Sequence, residues 1–487
     1  MLRWCAIVVL ACSGAFGNPT PEMPASYDTI IIGLGAAGCT AASTLSKAGK
    51  RVLALEAMDR VGGRVNTVPF GDGVVEVGAE WIHGTEQSRV YNLAIQNNVS
   101  VLPQDIDFEV YRSDGSIGDK AVLNELMNFS LSVIEEPPET PEPLGQFITR
   151  RLKDYMKEKY PALLADQDFV DNLLEFLDLV IDNYESSNSW NEVSTESKYT
   201  ELGGYQHMSW HRHGYKTLFE ILLNTYNNGP GYPNLDIKLK KEVTQISWPQ
   251  DPTQDVVVTC KDGSSYRARN VIVTVSLGVL KERHTTLFSP MLPQTKISVI
   301  DNNNISMGLL GKIILQFPQN FWGTNKNIDY SFIWRNEDKE GIEDKWMLKL
   351  VQMSAPMGAD DVLTMWTNGD VGRLVETLPE DVVKRKAMEL IRRFMGKNRT
   401  IPEPIAMIRS SWFSNPYTRG SYTYDNLSTP QYPHARATLA EPLVDSSGAP
   451  RVLFAGEATD NTHFSTVHGA TDTGFREANR LLTKAKL

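Results

Sequence analysis

The feature that most constrains the fold is a glycine-rich turn between two segments that read as buried strands. The β-branched run Tyr27–Ile32 leads directly into Gly33-Leu34-Gly35-Ala36-Ala37-Gly38, a complete GxGxxG pattern. A helical stretch follows, and a second strand over residues 51–55 ends at Glu56. In such a unit the glycines let the backbone approach a pyrophosphate at the helix N-terminus, and the acid accepts hydrogen bonds from a ribose hydroxyl. The segment predicts a dinucleotide site formed by Gly33, Gly35, Ala37, Gly38 and Glu56.

Two further glycine-containing segments indicate that the bound nucleotide is large. Residues 60–64, Arg-Val-Gly-Gly-Arg, follow closely and add a second glycine-rich turn with a cation available to phosphates. Near the other end of the chain, the apolar run 451–455 leads into Gly456-Glu457, and a helix is predicted to begin around His468. A diffusible nicotinamide needs only the first unit. The C-terminal part of the chain contains a second unit, in which a strand, a Gly-Glu pair and a helix follow one another. This second unit favours a large cofactor that stays bound.

The composition excludes several classes of protein. The chain has 487 residues, of which 41% are hydrophobic and 22% are charged. These values are typical of a folded globular protein of about three domains. The formal net charge of -11 argues against nucleic acid as a partner, because binding to phosphates requires a basic surface. An acidic surface suits a cationic ligand.

The N-terminus has the layout of a secretory signal peptide. Arg3 precedes an apolar run, and cleavage is expected after Gly17, so residues 1–17 are predicted to be removed. The alternative is a buried N-terminal strand or helix. No other run reaches the ~18 apolar residues that a spanning helix needs, so we expect no membrane segment in the mature protein. Sequons that fit a secretory route lie at Asn98, Asn128, Asn304, Asn398 and Asn426.

The C-terminus and the cysteines also bear on the subcellular localisation of the protein. The chain ends in Ala485-Lys486-Leu487, close to the Ser-Lys-Leu peroxisomal signal, so the peroxisome is the alternative to secretion. Removal of the signal peptide would leave Cys39 and Cys260, which are too few for a disulfide framework. Cys39 is expected to be a small buried residue of the first helix.

Seven ordered blocks of the sequence match one enzyme family. The first two are the GxGxxG unit with Glu56 and the turn 60–64. The other five follow in chain order at residues 78–84, 275–280, 311–313, 412–422 and 454–459. Together they resemble the flavin-dependent amine oxidases and, within them, the animal polyamine oxidases that act on spermine or acetylpolyamines. The resemblance runs from residue 27 to residue 482.

The resemblance implies an α/β fold with two discontinuous domains. A Rossmann-type FAD-binding domain of the glutathione-reductase and amine-oxidase kind would comprise residues 27–103, 214–275 and 405–487. An α+β substrate-binding domain would comprise residues 104–213 and 276–404. The proline-rich segment 135–143 is predicted to be a loop, because its prolines forbid both a helix and a central strand.

The resemblance also implies a reaction. A hydride passes from the carbon next to the amine nitrogen to FAD, water hydrolyses the imine, and O2 reoxidises the flavin with release of hydrogen peroxide. The substrate is a small cationic amine whose reacting nitrogen must first lose a proton. Ser421 stands where monoamine oxidases carry a cysteine bonded to the flavin, so noncovalent FAD is expected. No metal centre is expected.

Three residues take catalytic roles by resemblance. Lys312 matches the lysine that holds a water against the reactive ring nitrogen of the flavin. His83 matches a histidine that lines the substrate channel, and Tyr422 matches an aromatic residue that faces the flavin. Thr466 stands where many amine oxidases have a second aromatic residue, so the cage around the amine would have one aromatic wall.

The remaining contacts are also implied by the resemblance. Glu185 matches a channel acid, and Glu80 and Glu196 are extra acids at nearby positions that we expect to contact the substrate together with Thr466. Leu310 stands where acetylpolyamine oxidases have an amide, which disfavours acetylated substrates because an acetamide would lie unpaired against it. Cofactor contacts are expected at Arg64, Gly78, Trp81, Val243, Trp412, Tyr422, Glu457, Thr466 and Val467.

Other functions are compatible with parts of the pattern. An L-amino-acid oxidase of the same fold would need an arginine for the substrate carboxylate, and Arg89 and Arg409 are candidates. A secreted flavoprotein that only binds, or a chain that has lost FAD, is disfavoured by the intact glycines, Glu56 and Lys312. Histone lysine demethylation is disfavoured because no long helical insertion precedes Lys312.

Overall fold

A computed structural model describes residues 26–397 and 399–484 of the chain. The predicted signal peptide at residues 1–17, the sequon at Asn398 and the C-terminal Ala485-Lys486-Leu487 lie outside the described residues. Within the described part, no helix combines the length and the apolar character needed to cross a membrane.

The first of two large sheets is built around the strand Tyr27–Ile32. This strand lies between Val52–Leu55 and Ser265–Val273 and runs parallel to both. Ile30 and Ile31 are fully buried in separate apolar clusters on the two faces, as a continuous β-branched run predicts for a covered parallel strand. The sheet consists of Tyr27–Ile32, Val52–Leu55, Leu235–Lys238, Val243–Ser247, Val256–Cys260, Ser265–Val273, Phe288–Ser289, Leu443–Val444 and Pro450–Phe454.

Helices cover both faces of this sheet. Ala36–Lys47 and Val467–Lys484 pack along each other, and Gly474 allows their close approach because a Cβ there would lie 2.1 Å from the carbonyl oxygen of Ala37. The same face carries Arg89–Gln96 and Thr217–Leu222. The opposite face carries Leu277–Leu287, Gln294–Asp301 and Ala435–Ala440.

The second large sheet has six strands and is mixed. Its centre is the antiparallel pair Leu310–Gln316 and Val362–Asn368, and its other strands are Asp107–Arg112, Ile328–Ile333, Gln352–Ser354 and Ala406–Arg409. The proline-rich loop predicted at residues 135–143 is confirmed for residues 136–142, which form neither helix nor strand, whereas Glu135 ends a short 3-10 helix and Pro143 forms an isolated β-bridge with Ser194. The helices of this part are Lys120–Ser132, Leu144–Lys159, Pro161–Ala165, Gln167–Glu185, Asn336–Lys339, Gly369–Thr377 and Glu380–Met395.

Three small sheets connect the large ones. Thr67–Phe70 pairs with Gly73–Glu76, and Ser306–Met307 pairs with Thr423–Tyr424. The third small sheet contains Trp81–Ile82, Met208–Ser209 and Leu102–Pro103. The predicted α/β class is therefore confirmed, with a partly parallel sheet in one half and a mostly antiparallel sheet in the other.

Two strands fall on the other side of the predicted domain boundaries. Phe288–Ser289 pairs with Val243–Ser247 in the nine-stranded sheet, although the boundary at 275 assigned it to the substrate domain. Ala406–Arg409 pairs with Leu310–Gln316 in the six-stranded sheet, although the boundary at 405 assigned it to the FAD domain. Burial accounts for both placements, because Phe288 and Met407 contribute to the apolar clusters of the sheets that they join.

The sequons inside the described part differ in exposure. Asn98 and Asn128 are exposed and could carry a glycan. Asn304 and Asn426 are buried, and the Asn426 amide donates to Ser306 Oγ at 2.9 Å. A glycan on either of these two is incompatible with the folded protein, so the sequence pattern overestimates the number of usable sites.

Candidate active site

A cavity of about 1160 Å³ extends between the two large sheets. Its wall includes the first glycine-rich turn at Gly33 and Gly35, Lys312 of the six-stranded sheet, and the start of the C-terminal helix at Val467. The structure therefore places residues from distant parts of the chain around one space. Of the predicted site residues, Gly38 and Glu196 do not line it.

One end of the cavity suits a pyrophosphate. The helix Ala36–Lys47 begins at this end with Gly35 as its N-cap, and no side chain caps its first amides. Gly35 and Ala37 line the cavity, and the first turn of the helix contains no acid. Uncapped amides at a helix N-terminus bind anions. Gly38 acts by packing, because a Cβ there would lie 1.9 Å from the carbonyl oxygen of Gly33.

Glu56 is fixed at the end of the second strand by two backbone amides. Leu34 N donates to Glu56 Oε2 at 2.7 Å, and Met58 N donates to Glu56 Oε1 at 2.8 Å. Burial raises the pKa of Glu56 against the effect of these hydrogen bonds. The carboxyl is thus oriented at the cavity wall beside the first glycine-rich turn, where the GxGxxG pattern predicts a ribose contact.

Partly buried Arg64 and buried Glu457 form an ion pair that spacing alone does not predict. Arg64 Nη1 donates to Glu457 Oε1 at 2.9 Å and to the carbonyl oxygen of Ser421 at 2.7 Å. Thr423 Oγ1 and Ser465 N donate to Glu457 Oε2 at 2.7 and 3.0 Å. Burial would raise the pKa of Glu457, but Arg64 and these donors hold it below its usual value. Glu457 therefore neutralises part of the positive charge of Arg64, which sequence analysis treats as available to bind phosphates.

The predicted apolar and glycine contacts lie on the cavity wall. Gly78 lies where a Cβ would be 2.0 Å from the carbonyl oxygen of Arg64 and 2.9 Å from the Trp412 ring, so a larger residue does not fit. Trp412 Nε1 donates to the carbonyl oxygen of Val77 at 3.2 Å. The residues Gly78, Trp81, Val243, Trp412 and Val467 all line the cavity.

Lys312 is buried against the cavity wall beside an acid. Lys312 Nζ donates to Glu80 Oε2 at 2.7 Å and to the carbonyl oxygen of Glu76 at 2.9 Å. It also lies 4.5 Å from the centre of the Trp366 ring, which is its partner in the neighbouring strand and stacks with Trp81. The sequence identified Lys312 but missed Trp366, because an aromatic residue in a buried strand carries no signal of its own.

Tyr422, Thr466 and His83 line the same part of the cavity. The Tyr422 hydroxyl donates to the carbonyl oxygen of Asn183 at 2.9 Å, which fixes the ring. Thr466 Oγ1 accepts from Gly469 N at 2.9 Å, so this side chain stabilises the start of the C-terminal helix. Burial, with a smaller effect of His207, lowers the pKa of His83 to about 4. His83 is therefore a neutral imidazole at neutral pH.

Carboxyl groups line the substrate end of the cavity. Glu185, Asp329 and Glu201 are on its wall. Burial raises the pKa of Glu185 to about 7, with a further contribution from Asp425. It also raises the pKa of Asp329 to about 7, against hydrogen bonds from Ser331 and Gln352. Among the described residues, no cationic side chain offsets the charge of any of these three acids.

The prediction for Glu196 as a substrate contact does not fit the structure. Thr195 and Ser197 line the cavity, whereas Glu196 between them is exposed and does not. Residues 195–197 form neither helix nor strand, and the backbone there leaves the Glu196 side chain outside the cavity wall. Asp329 is an acid that sequence reasoning missed. Its signal was a charged residue inside the otherwise apolar strand Ile328–Ile333.

The donor set fits a flavin dinucleotide rather than a metal. An uncapped helix N-terminus, a fixed carboxyl at Glu56 and the apolar side chains of the cavity wall match a pyrophosphate, a ribose and a ring system, respectively. In the described part of the chain, no cluster of His, Cys, Asp or Glu side chains could hold a metal ion. Cys39 and Cys260 are buried and do not line the cavity.

Comparison with known proteins agrees with this geometry. The model of the flavin containing amine oxidoreductase family matches residues 36–482. The chain is 30% identical to a peroxisomal N(1)-acetyl-spermine/spermidine oxidase of Bos taurus, over 93% of the chain and 94% of the relative. It is also 30% identical to the Homo sapiens protein of that description, over 95% and 96%. A probable polyamine oxidase 5 of Arabidopsis thaliana is 26% identical over 94% of the chain and 98% of the relative.

Proposed function

The chain belongs to the flavin containing amine oxidoreductase family and is an FAD-dependent amine oxidase, and we propose that it oxidises polyamines with free ammonium ends, such as spermine and spermidine. The relatives support a polyamine substrate, since their names describe spermine, spermidine and polyamine oxidation. The finer proposal of a free, non-acetylated polyamine depends on the residues of the substrate end.

The observation that carries the proposal is the set of acids without cationic partners on the cavity wall, Glu185, Asp329 and Glu201. Asp329 is buried and Glu185 is partly buried, whereas Glu201 is exposed. A buried carboxylate without a counter-charge is unfavourable, and a bound ammonium group relieves this cost. Several such acids along one cavity favour a substrate with several positive charges over a monoamine. The net charge of -11 adds long-range attraction for cations.

The residues of the chain would divide the chemistry as follows. Bound FAD supplies the acceptor for a hydride from the carbon next to the amine nitrogen, and O2 reoxidises it with release of hydrogen peroxide. Tyr422 would hold the amine beside an aromatic face. His83, neutral because of its burial, would accept a hydrogen bond from the ammonium group. The FAD contacts named above are part of the proposal, and Ser421 in the cavity wall supports noncovalent binding.

Leu310 favours free over acetylated substrates. The side chain lies at the cavity wall, in the strand that carries Lys312, and it has no group that can hydrogen-bond. An acetamide placed against it would lose its hydrogen bonds to water, which disfavours binding by about 1–3 kcal/mol. In this respect we expect the chain to differ from the two mammalian relatives, whose names include the N(1)-acetyl forms.

The alternative of an L-amino-acid oxidase is less well supported. Arg409 Nη1 donates to the carbonyl oxygen of Leu378 at 2.6 Å, and Arg89 pairs with Asp472 at 2.9 Å. Neither arginine lines the cavity, so neither is placed to bind a substrate carboxylate.

A peroxide-coupled assay of the purified, FAD-loaded protein tests the proposal. The panel comprises spermine, spermidine, their N1-acetyl forms, a simple monoamine and L-amino acids. We expect kcat/KM to be highest for the free polyamines and roughly 5- to 150-fold lower for the acetylated forms, from the loss of about 1–3 kcal/mol. Preference for the acetylated forms would overturn the role of Leu310. Turnover of monoamines or amino acids alone would overturn the polyamine proposal.

We propose that the protein is secreted, and localisation to the peroxisome is the alternative. The mammalian relatives, which are named as peroxisomal, favour the alternative. In a secreting cell the proposal predicts a mature protein in the medium that begins at Asn18. An intracellular protein that retains Met1, and that leaves the peroxisome when Leu487 is deleted, would show the alternative to be right.

A further inference from the structure

The side chain of Glu80 is engaged by Lys312 rather than free for the substrate. Glu80 Oε2 accepts from Lys312 Nζ at 2.7 Å, and the two side chains are 7% and 4% exposed. An acid that binds the substrate amine directly would need its charge available, as for Glu185. The charge of Glu80 is instead opposed by a buried ammonium group.

The geometry at Lys312 is directional. A lysine ammonium has three N–H donors. Two of them are used by Glu80 Oε2 and by the carbonyl oxygen of Glu76, at 2.7 and 2.9 Å. Within the part of the chain that the structure describes, the third donor has no hydrogen-bond acceptor, and Lys312 lines the cavity. Once two donors are fixed, the direction of the third is fixed as well.

Both acceptors belong to one rigid segment. Val77 N donates to the carbonyl oxygen of Asn66 at 2.9 Å, and Ala79 N donates to that of Arg64 at 3.3 Å. Gly78 between them fits only without a Cβ. The segment 76–80 is therefore pinned to the second glycine-rich turn, and Glu80 cannot follow a displaced Lys312 without breaking these contacts.

The lysine is held equally firmly from its own side. Lys312 N donates to Ser410 Oγ at 2.8 Å, and the ammonium group lies over Trp366, its partner in the neighbouring strand. The side chain therefore crosses between two fixed elements, and Glu80 supplies the charged contact at its far end.

From this geometry we infer that Glu80 is a positioning residue, which orients the ammonium group of Lys312 so that its third N–H points into the cavity. Its effect on catalysis passes through Lys312. It does not contact the substrate, contrary to the expectation from sequence. Such an N–H is suited to holding one water molecule against the flavin.

Stopped-flow kinetics on a double-mutant cycle tests the inference. The variants are Glu80→Ala, Lys312→Met and the double variant, all loaded with FAD, with flavin reduction and reoxidation measured separately. We expect Glu80→Ala to lower the same rate constant that Lys312→Met lowers, by about tenfold or more, because small displacements of an oriented group are costly. The apparent Kd of spermine should change less than about threefold. In the Lys312→Met background, Glu80→Ala should have almost no further effect, because two residues that act as one unit are not additive.

Two further measurements support the double-mutant cycle, and the second of them is independent of turnover. Glu80→Gln retains an oxygen that can accept from Lys312 Nζ and should keep more of the rate than Glu80→Ala. In the protein without FAD, the thermal midpoints of the single variants should each fall, and the double variant should fall by less than their sum. The exposed Glu86→Gln serves as the control, on the other side of the strand Trp81–Ile82 from Glu80.

Three outcomes would overturn the inference. The first is a large rise in the Kd of spermine that persists in the Lys312→Met background, which would make Glu80 a substrate contact. The second is independent, additive effects on both the rate and the thermal midpoint. The third is no effect of Glu80→Ala on either rate constant. The rate constants can be measured with whichever amine reduces the flavin, and the thermal midpoints need no substrate, so a failure of the polyamine proposal is distinguishable from a failure of this inference.

Discussion

Replacing Glu185 with glutamine should cost activity at high pH but little at low pH. Burial raises the pKa of Glu185 to about 7, so roughly a tenth of the side chains are ionised at pH 6 and roughly nine tenths at pH 8. Only the ionised form attracts an ammonium group, whereas the protonated form resembles a glutamine. The difference between wild type and Glu185→Gln should therefore follow the ionisation of this single carboxyl.

The magnitude follows from the value of a charged hydrogen bond. Such a bond contributes about 1.5–3 kcal/mol, so kcat/KM for spermine should fall roughly 10- to 100-fold at pH 8. At pH 6 most of this loss should disappear, and the ratio of wild type to variant should fall by about tenfold. The pH dependence of kcat/KM reports ionisations of the free enzyme and of the free substrate. The ionisation of the amine affects both proteins equally and cancels in the ratio.

The assay is the initial rate of peroxide release at pH 6, 7 and 8 at constant ionic strength. Asp171→Asn is the matched control, because Asp171 is exposed on the same helix, Gln167–Glu185, and does not line the cavity. The control should match the wild type at every pH. A loss in Glu185→Gln that is the same at pH 6 and pH 8 would refute the reasoning, as would wild-type activity at pH 8.

Three other predictions concern the cofactor and the cavity wall. Acid precipitation should release all of the flavin into solution, since Ser421 offers no thiol for a covalent bond; flavin that stays in the pellet would contradict this. Gly78→Ala should abolish retention of FAD, because its Cβ would lie 2.0 Å from the carbonyl oxygen of Arg64, whereas Gly341→Ala, with nothing within 4 Å, should retain it. Asp329→Asn should stabilise the protein by roughly 3 kcal/mol more at pH 8 than at pH 5. Burial raises the pKa of this carboxyl to about 7, so its ionisation destabilises the folded state of the wild type as the pH rises. A gain in the free energy of unfolding that does not change with pH would contradict this prediction.

The nucleotide end of the site could be predicted because its signals are local. Gly33, Gly35 and Gly38 are followed within one helix and one strand by Glu56, and each residue acts on its immediate neighbours in the chain. The backbone conformation that the glycines allow, and the helix that follows, depend on few residues. The spacing therefore determines the geometry before any tertiary contact forms.

Assignments at the substrate end were less accurate because burial and direction decide them. Glu185 and Glu196 are both acids close together in the chain. Glu185 ends a helix and lines the cavity, whereas Glu196 lies in a stretch without helix or strand and is exposed. In such a stretch the local backbone decides the direction of each side chain, and no sequence period specifies it. A family resemblance predicts where a residue lies along the chain. It does not predict where the side chain points when, as for Glu196, the family does not have that residue.

The ion pairs that determine the net charge of the site could not be predicted from the sequence. Lys312 and Glu80 are 232 positions apart, and Arg64 and Glu457 are 393 apart. All four were predicted at the site as separate contacts, yet each acid in fact opposes one of the cations. A site built from four independent charges would present two cations and two anions to its ligands. Because of the two ion pairs, these four positions carry almost no net charge. The net negative charge of the site therefore lies at Glu185, Asp329 and Glu201, where it can attract a polycation.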